Sequence, residues 1–245
     1  MRRRFFVDGF EGSRARLEGE SARHLGRALR AEPGQLYELS NGADVWLARI
    51  ERVERGTVEF TLVEQLPSRE PGLRVTLLLS IVKFDRFEWC LEKATELGVC
   101  DIVPLASARC ENGLVDAAAK RAARWEKILF EAAQQARRLR PPRLHRAEPP
   151  RIAFAGAGIH TRGLGTLPII LSERESAPPL RTRVEGKGAA AAILAIGPEG
   201  GWTDQELDDA RAAGYEEASL GMHILRTETA VIASLANLNF ALAEG

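Results

Sequence analysis

Ala191–Gly201 reads AAILAIGPEGG. The six apolar residues Ala191–Ile196 run without a charge, as a strand covered on both faces does. They break into Gly197-Pro198-Glu199-Gly200-Gly201. Glycine tolerates positive φ and lets backbone N–H and C=O groups come close to a ligand. Thr203 and Glu206 follow at capping-box spacing and open a helix expected over Thr203–Ala213. Strand, glycine loop and capped helix in succession form the ligand-binding edge of a parallel α/β sheet, at the carboxyl ends of its strands. The glycine spacing is not the GxGxxG of a dinucleotide fold, and no Lys-Ser/Thr follows as in a P-loop. On spacing alone, an ordinary turn and a ligand loop both fit.

Outward from this stretch, strands and helices alternate. Leu73–Val82 contains the apolar run LLLSIV and reads as a second buried strand. Lys83–Gly98, KFDRFEWCLEKATELG, follows with Phe84, Phe87, Leu91, Ala94 and Leu97 at helical spacing. Lys83, Asp85 and Arg86 stand at that strand-to-helix junction, where Asp85 can pair with Arg86 or cap the helix. Ile102–Leu105 and Leu167–Leu171 are further strands. Ala118–Ala136 is a helix with Trp125, Ile128, Leu129, Ala132 and Ala136 on one face. Leu220–Ala230, LGMHILRTETA, leaves a short strand over Glu217–Leu220 and enters a last helix, Thr227 to Leu242. Thr227 or Thr229 can cap it. Arg226 sits beside the helix N-terminus, where a positive charge is unfavourable. That placement points to a partner or substrate for its guanidinium. The alternation predicts a mostly parallel α/β sheet.

The first seventy residues have another texture. Arg4–Val7, Gln35–Leu39, Val45–Val53 and Thr57–Val63 read as short strands between turns such as Asn41-Gly42 and Arg55-Gly56, with a helix at Ser21–Leu29. A small β-barrel over residues 1–70 is expected, then a boundary at Pro67 to Gly72 and an α/β domain over 73–245.

At 245 residues the chain is long enough to bury about 70% of its unfolded surface without disulfides or metal. Cys90, Cys100 and Cys110 form no CxxC pair, and the histidines are scattered, so no metal site is expected. No apolar run approaches the roughly 18 residues of a membrane span. The opening MRRRFFVDGF lacks the apolar segment of a secretory leader, so a cytoplasmic chain is expected. The 34 Lys/Arg balance 34 Asp/Glu, which excludes a uniformly basic nucleic-acid binder. The balance is local, however. Residues 109–151 carry eleven Lys/Arg against five Asp/Glu, and residues 196–245 carry two against nine. The basic stretch fits a solvated helix face or a phosphate-contacting surface, and its excess is arginine, which suits bidentate phosphate contacts.

Four segments in this order carry a resemblance: KxDRxEWxLxKATELGVxxIxPL from Lys83, RWxKILxEAAxQ from Arg124, LAIGPEGGWTxxE from Leu194 and LGxxILRTETA from Leu220. Together with the opening RRFFV, they resemble the RsmE family, 16S ribosomal RNA uridine N3-methyltransferases of the SPOUT class. The likeness covers essentially the whole chain. It departs at Ala108-Arg109-Cys110, where the family pattern is Glu-Arg-Ser, and at Gln134-Gln135-Ala136-Arg137.

The resemblance implies a PUA-like β-barrel followed by a SPOUT α/β domain with a C-terminal trefoil knot. It implies S-adenosylmethionine held by Leu171, Ser172 and Glu173, by Ile196, Gly197, Pro198, Glu199, Gly200 and Gly201, and by Leu220, Gly221, Ile224, Leu225, Arg226, Thr229 and Ala230. It implies a homodimer that methylates N3 of a uridine in 16S rRNA of the small ribosomal subunit. Arg226 and Glu228 are the candidate catalytic residues. Arg4, Arg23, Lys83, Arg86, Arg109, Arg137 and Arg138 are the candidate RNA contacts. Two other functions fit the same scaffold: a non-catalytic RNA-binding or ribosome-assembly factor, and a SPOUT methyltransferase acting on ribose 2′-OH or on tRNA.

Overall fold

The computed structural model describes residues 3–68, 70–111, 113–157 and 165–242. The chain divides into two compact units, Met1–Glu70 with Ala133–Pro141, and Pro71–Ala132 with Pro142–Gly245.

Among the described residues, the first unit holds β1 (Arg4–Phe6), β2 (Phe10–Glu11), β3 (Arg14–Glu18), α1 (Gly19–Arg23), β4 (Leu36–Ser40), β5 (Val45–Glu54) and β6 (Thr57–Leu66). The strands form one sheet in the order β1-β4-β5-β6-β3-β2. β1 and β4 are parallel and the other neighbours antiparallel. Alternation decides the faces: in β3 Ala15 and Leu17 are buried while Arg14, Arg16 and Glu18 are exposed. Phe5, Leu17, Leu25, Leu39, Ile50 and Phe60 share one core. The helix expected over Ser21–Leu29 is a single α turn that widens into a π turn at His24–Ala28, with the Leu29 N–H donating to the His24 carbonyl. The charged, very short β2 and β3 left too few apolar positions to be read from the sequence.

A buried ionic cluster explains why Ala133–Pro141 belongs with this unit, which a linear boundary near Pro67–Gly72 does not anticipate. Glu38 is 7% exposed. Arg4 donates to it from Nε at 3.1 Å and Nη2 at 2.9 Å, and Arg4 Nη1 donates to the Arg137 carbonyl at 2.6 Å. Arg137 reaches Glu38 from the other side at 3.4 Å. Two residues on, Ser40 Oγ donates to the Leu139 carbonyl at 2.7 Å. Arg4 is therefore not open to RNA: its side chain is 12% exposed and engaged in this cluster.

The second unit contains β7 (Arg74–Ser80), α2 (Phe84–Glu96), β8 (Asp101–Leu105), α3 (Leu114–Gln135), β9 (Arg143–Leu144), α4 (Pro150–Ala157), β10 (Thr166–Leu171), α5 (Leu180–Val184), β11 (Ala191–Ile196), α6 (Asp204–Ala212), β12 (Glu216–Ala218) and α7 (Thr227–Leu242). The last residues of α3, Ala133–Gln135, count with the first unit. The sheet runs β12-β10-β11-β7-β8-β9 and every pairing in it is parallel. β11 lies between β10 and β7, and all six of its residues are buried. One face packs Leu77, Leu79, Ile169 and Leu194 against Phe87 and Leu91 of α2, Trp125 of α3 and Val231, Leu235 and Leu238 of α7. The other packs Leu78, Ile170 and Ile193 against Phe154 of α4, Leu207 of α6, Trp202 and Tyr215. Glu88 of α2 accepts from Arg121 at 3.1 Å and Arg124 at 2.8 Å. The Arg124 hydrogen bond leads in holding that carboxyl below its usual range. Arg124, part of the basic stretch, is thus committed to α2.

β11 and α7 have the bounds expected from the sequence. β12 is shorter and earlier than Glu217–Leu220, because the Ser219 N–H turns away to the Pro178 carbonyl. β9, α4 and α5 carry too few apolar repeats to have been seen. No helix among the described residues is long and apolar enough to cross a membrane.

Glu38→Ala leaves the buried Arg4 guanidinium, and the half-buried one of Arg137, without their carboxylate. It is expected to cost about 3 kcal/mol, the scale of a broken buried pair. Urea denaturation of the full chain checks it, with Glu51→Ala on the exposed face as the neutral reference.

Candidate functional site

The carboxyl ends of β10, β11 and β12 open onto the three segments singled out by sequence. Trp202 organises the first two. Its indole lies beneath Gly197, where an added Cβ would stand 3.1 Å from Cε2. Its Nε1 donates to the Leu171 carbonyl at 2.8 Å. The end of β10 and the loop after β11 are thereby fastened to one buried side chain. The third segment joins through Thr227, 4% exposed, whose hydroxyl donates to the Gly197 carbonyl at 3.4 Å. Thr227 therefore ties α7 to the glycine loop instead of capping its own helix.

Each glycine of that loop has its own reason. Gly197 makes room for Trp202. Gly200 packs on Arg109, whose Cβ would lie 3.1 Å from a Cβ at residue 200. Gly201 has φ +69°, and a Cβ there would stand 2.7 Å from Glu173 Oε1. The Gly201 N–H donates to the Pro198 carbonyl at 2.9 Å, which closes the turn. Beyond β12, Gly221 has φ +127°, with open space where a side chain would go.

Charged groups converge here. Arg86 Nη1 pairs with Glu199 Oε1 at 3.1 Å, and Arg109 Nη1 donates to the Gly200 carbonyl at 2.8 Å. Neither Asp85–Arg86 pairing nor capping by Asp85 is seen. Glu228, in the first turn of α7, has a buried Oε2 with no hydrogen-bond partner among the described residues. Burial, with Glu228 and Glu199 adding to it, pushes the Cys90 thiol up to about 12. Two carboxylates from different segments thus both act on Cys90 of α2. Glu173 and Glu199 are exposed. The site combines glycine backbone with acidic side chains, a combination suited to a cationic ligand.

Other predicted residues fall as follows. Ile196 and Pro198 are buried in the strand end and loop; Ser172 and Leu220 are half-buried. Ser172 turns back on the loop, its hydroxyl accepting from the Arg174 N–H at 3.2 Å. Arg226, Thr229, Ile224 and Leu225 are exposed, Ile224 at 80%. The Arg226 carbonyl accepts from the Ala230 N–H at 2.9 Å, which sets the first turn of α7. Lys83 is exposed just before α2, and Arg23 is exposed in α1 of the first unit. Arg137 and Arg138 are half-buried in the first unit. Trp202 and Glu206 were not among the predicted site residues, although both stand in the GGWTxxE segment. Glu206 was legible only as a helix cap. No group of three His, Cys, Asp or Glu among the described residues can hold a metal ion.

Residues 69–239 match the family model of the RNA methyltransferase domain. The chain belongs to the RsmE family of ribosomal RNA methyltransferases. It is 34% identical over 223 residues to ribosomal RNA small subunit methyltransferase E of Synechocystis sp., covering 89% of this chain and 70% of the relative. The Bacillus subtilis protein of the same name is 28% identical, with 91% and 89% covered. Among solved structures, that of the Neisseria gonorrhoeae enzyme bound to S-adenosylmethionine superposes with a TM-score of 0.87 at 31% identity, covering 99% of both chains. A putative methyltransferase of Legionella pneumophila with bound S-adenosylmethionine gives 0.85 at 30% identity over the whole of both chains. The fold is accordingly that of RsmE, an N-terminal β unit followed by an α/β unit.

Gly201→Ala places a Cβ on a left-handed residue and should cost about 1–2 kcal/mol in thermal denaturation. Adding Glu173→Ala recovers little of it, because the strain is in the backbone and the Glu173 carboxylate can swing aside. The Cys90 thiol stays protonated in the folded chain after its ordinary value of 9.0 is passed. The unfolded chain then binds fewer protons, so stability falls as pH rises from 9.0 toward about 12. Stability of Cys90→Ala measured against pH above 9.0 should have a shallower slope.

Proposed function

We propose that this chain transfers the methyl group of S-adenosylmethionine to N3 of a uridine in 16S rRNA, acting as a homodimer with its C-terminal segment threaded as a trefoil knot. The observation that carries the reading is the joining of the loops after β10 and β11 by Trp202 and of the entry to α7 by Thr227, next to Glu228, whose buried Oε2 has no hydrogen-bond partner among the described residues. The family and the bound S-adenosylmethionine of two structural relatives support it.

The residues fit this cofactor. Gly197, Gly200, Gly201 and Gly221 offer peptide groups without side-chain bulk of their own. Glu173, Glu199 and Glu228 supply negative charge for a sulfonium. When bound, S-adenosylmethionine supplies a methyl group already activated for attack. The chain's part is then to position and to manage charge.

Uridine N3–H lies between two carbonyls, and loss of its proton spreads negative charge onto O2 and O4. Arg226, exposed at the entry to α7, holds that charge as it develops. Glu228 takes the N3 proton on the oxygen that has no other partner. The uridine must be unpaired or turned out of its stack to reach them. Lys83 and Arg86 at the head of α2 contact phosphates, and so, within the first unit, do Arg23 and Arg138, while Arg137 is held by Glu38.

Incubation with radiolabelled S-adenosylmethionine and either small subunits or bare rRNA from a deletion strain tests the reading. Label in N3-methyluridine is expected. Label on ribose or on tRNA selects a different acceptor, and no label in any RNA leaves the non-catalytic assembly factor. Arg226→Ala should lower turnover by about 100-fold or more, the scale of a lost donor to a developing oxyanion. Calorimetry should find its cofactor affinity little changed.

A further inference from the structure

Three consecutive residues after β8 each bond to a different element around the glycine loop. Ser107 Oγ and Ser80 Oγ are 2.6 Å apart, both buried, which fixes the segment to the end of β7. The Ala108 N–H donates to Glu206 Oε1 at 2.8 Å. Glu206 is 7% exposed, and its other oxygen accepts the Thr203 N–H at 2.8 Å and the Thr203 hydroxyl at 2.9 Å. Arg109 Nη1 donates to the Gly200 carbonyl at 2.8 Å. The peptide between Gly200 and Gly201 is thus held on both sides, its carbonyl by Arg109 and its N–H by the Pro198 carbonyl.

The packing agrees with the hydrogen bonds. The three nearest atoms a Cβ on Gly200 would meet are all from Arg109: Cβ at 3.1 Å, Cδ at 3.5 Å and the carbonyl oxygen at 3.6 Å. The need for glycine at 200 therefore comes from residue 109. Glu206 does more than cap α6. A capping box needs only bonds within residues 203–206, and this carboxylate spends one oxygen on a residue 98 positions away. A buried carboxylate satisfied in this way holds its partners firmly, since losing either bond leaves it short of a donor.

We propose that Ser107–Arg109 is a positioning strap for the cofactor loop, with Arg109 and Glu206 as its two positioning residues, and that Arg109 acts through Gly200 on cofactor affinity. This moves Arg109 out of the RNA-contacting set. The strap uses backbone at residue 108, so alanine there serves as well as a longer side chain.

The inference rests on the cofactor reading, and the test separates the two. The full chain is titrated calorimetrically with S-adenosylmethionine alone, without RNA, as wild type, Arg109→Ala and Arg109→Lys. rRNA binding and steady-state kinetics of each are measured in parallel. Arg109 is exposed, so Arg109→Ala is expected to fold, which thermal denaturation verifies. Loss of one charged hydrogen bond should weaken cofactor binding about tenfold. The Michaelis constant for cofactor should rise while that for rRNA, and turnover at saturation, hold. Arg109→Lys, whose ammonium can reach the same carbonyl, should recover part of the loss. Gly200→Ala should cost less affinity in an Arg109→Gly background, where the Cβ it meets is gone. Unchanged cofactor affinity with weakened rRNA binding in Arg109→Ala overturns the strap and restores an RNA role. Strictly additive losses for the 109 and 200 pair overturn it too. A wild-type chain that binds no S-adenosylmethionine defeats the cofactor reading itself, and the strap with it.

Discussion

The Trp202 indole is the piece on which the site depends. It fills the space that Gly197 leaves open and donates to the Leu171 carbonyl, joining two neighbouring strand ends through one buried ring. A buried indole N–H needs a partner, and this one finds it at the end of β10. Phe154 packs on the ring edge-to-face at 6.0 Å and holds the indole further. Thr227 then brings α7 onto the same glycine. Remove the ring, and the loops after β10 and β11 lose their common support while Gly197 becomes an ordinary flexible residue.

The charge arithmetic takes on meaning around that support. The neutral total divides into a basic middle and an acidic C-terminal stretch. The acidic stretch supplies Glu199 and Glu228 to the loop region and Glu206 to the strap beside it. The basic stretch is not uniformly available for phosphates. Arg124 is engaged with Glu88, Arg137 with Glu38, and Arg140 with Glu70. Arginine there serves internal carboxylates as well as any nucleic acid, which is why a count of positive charges overstates the size of an RNA surface.

The strands and helices around the site were legible in the sequence where burial imposes a period. β11, apolar at every position, could be nothing but a covered strand, and α7 kept its bounds because its apolar stripe runs from Val231 to Leu242. Thr203 and Glu206 announced a helix start, and the capping box is there. β9, α4 and α5 were invisible because two, eight and five residues carry too little periodicity. The π turn at His24–Ala28 was invisible because a helical pattern does not reveal how wide a turn closes.

By itself the sequence determined the succession of buried strands and helices, the glycine-rich stretch and the residues of the family motifs. These are local facts, written in hydrophobic period and in the backbone freedom of glycine. Only the tertiary structure decided what each glycine is small for and which arginines are occupied. Gly197 answers to Trp202 five residues on, Gly200 to Arg109 across 91 positions, and Arg4 to Glu38 and Arg137. Hydrogen bonds and steric contacts of that kind form between residues distant in the chain. They appear once the sheet has set its strand order, and spacing along the sequence carries no record of them.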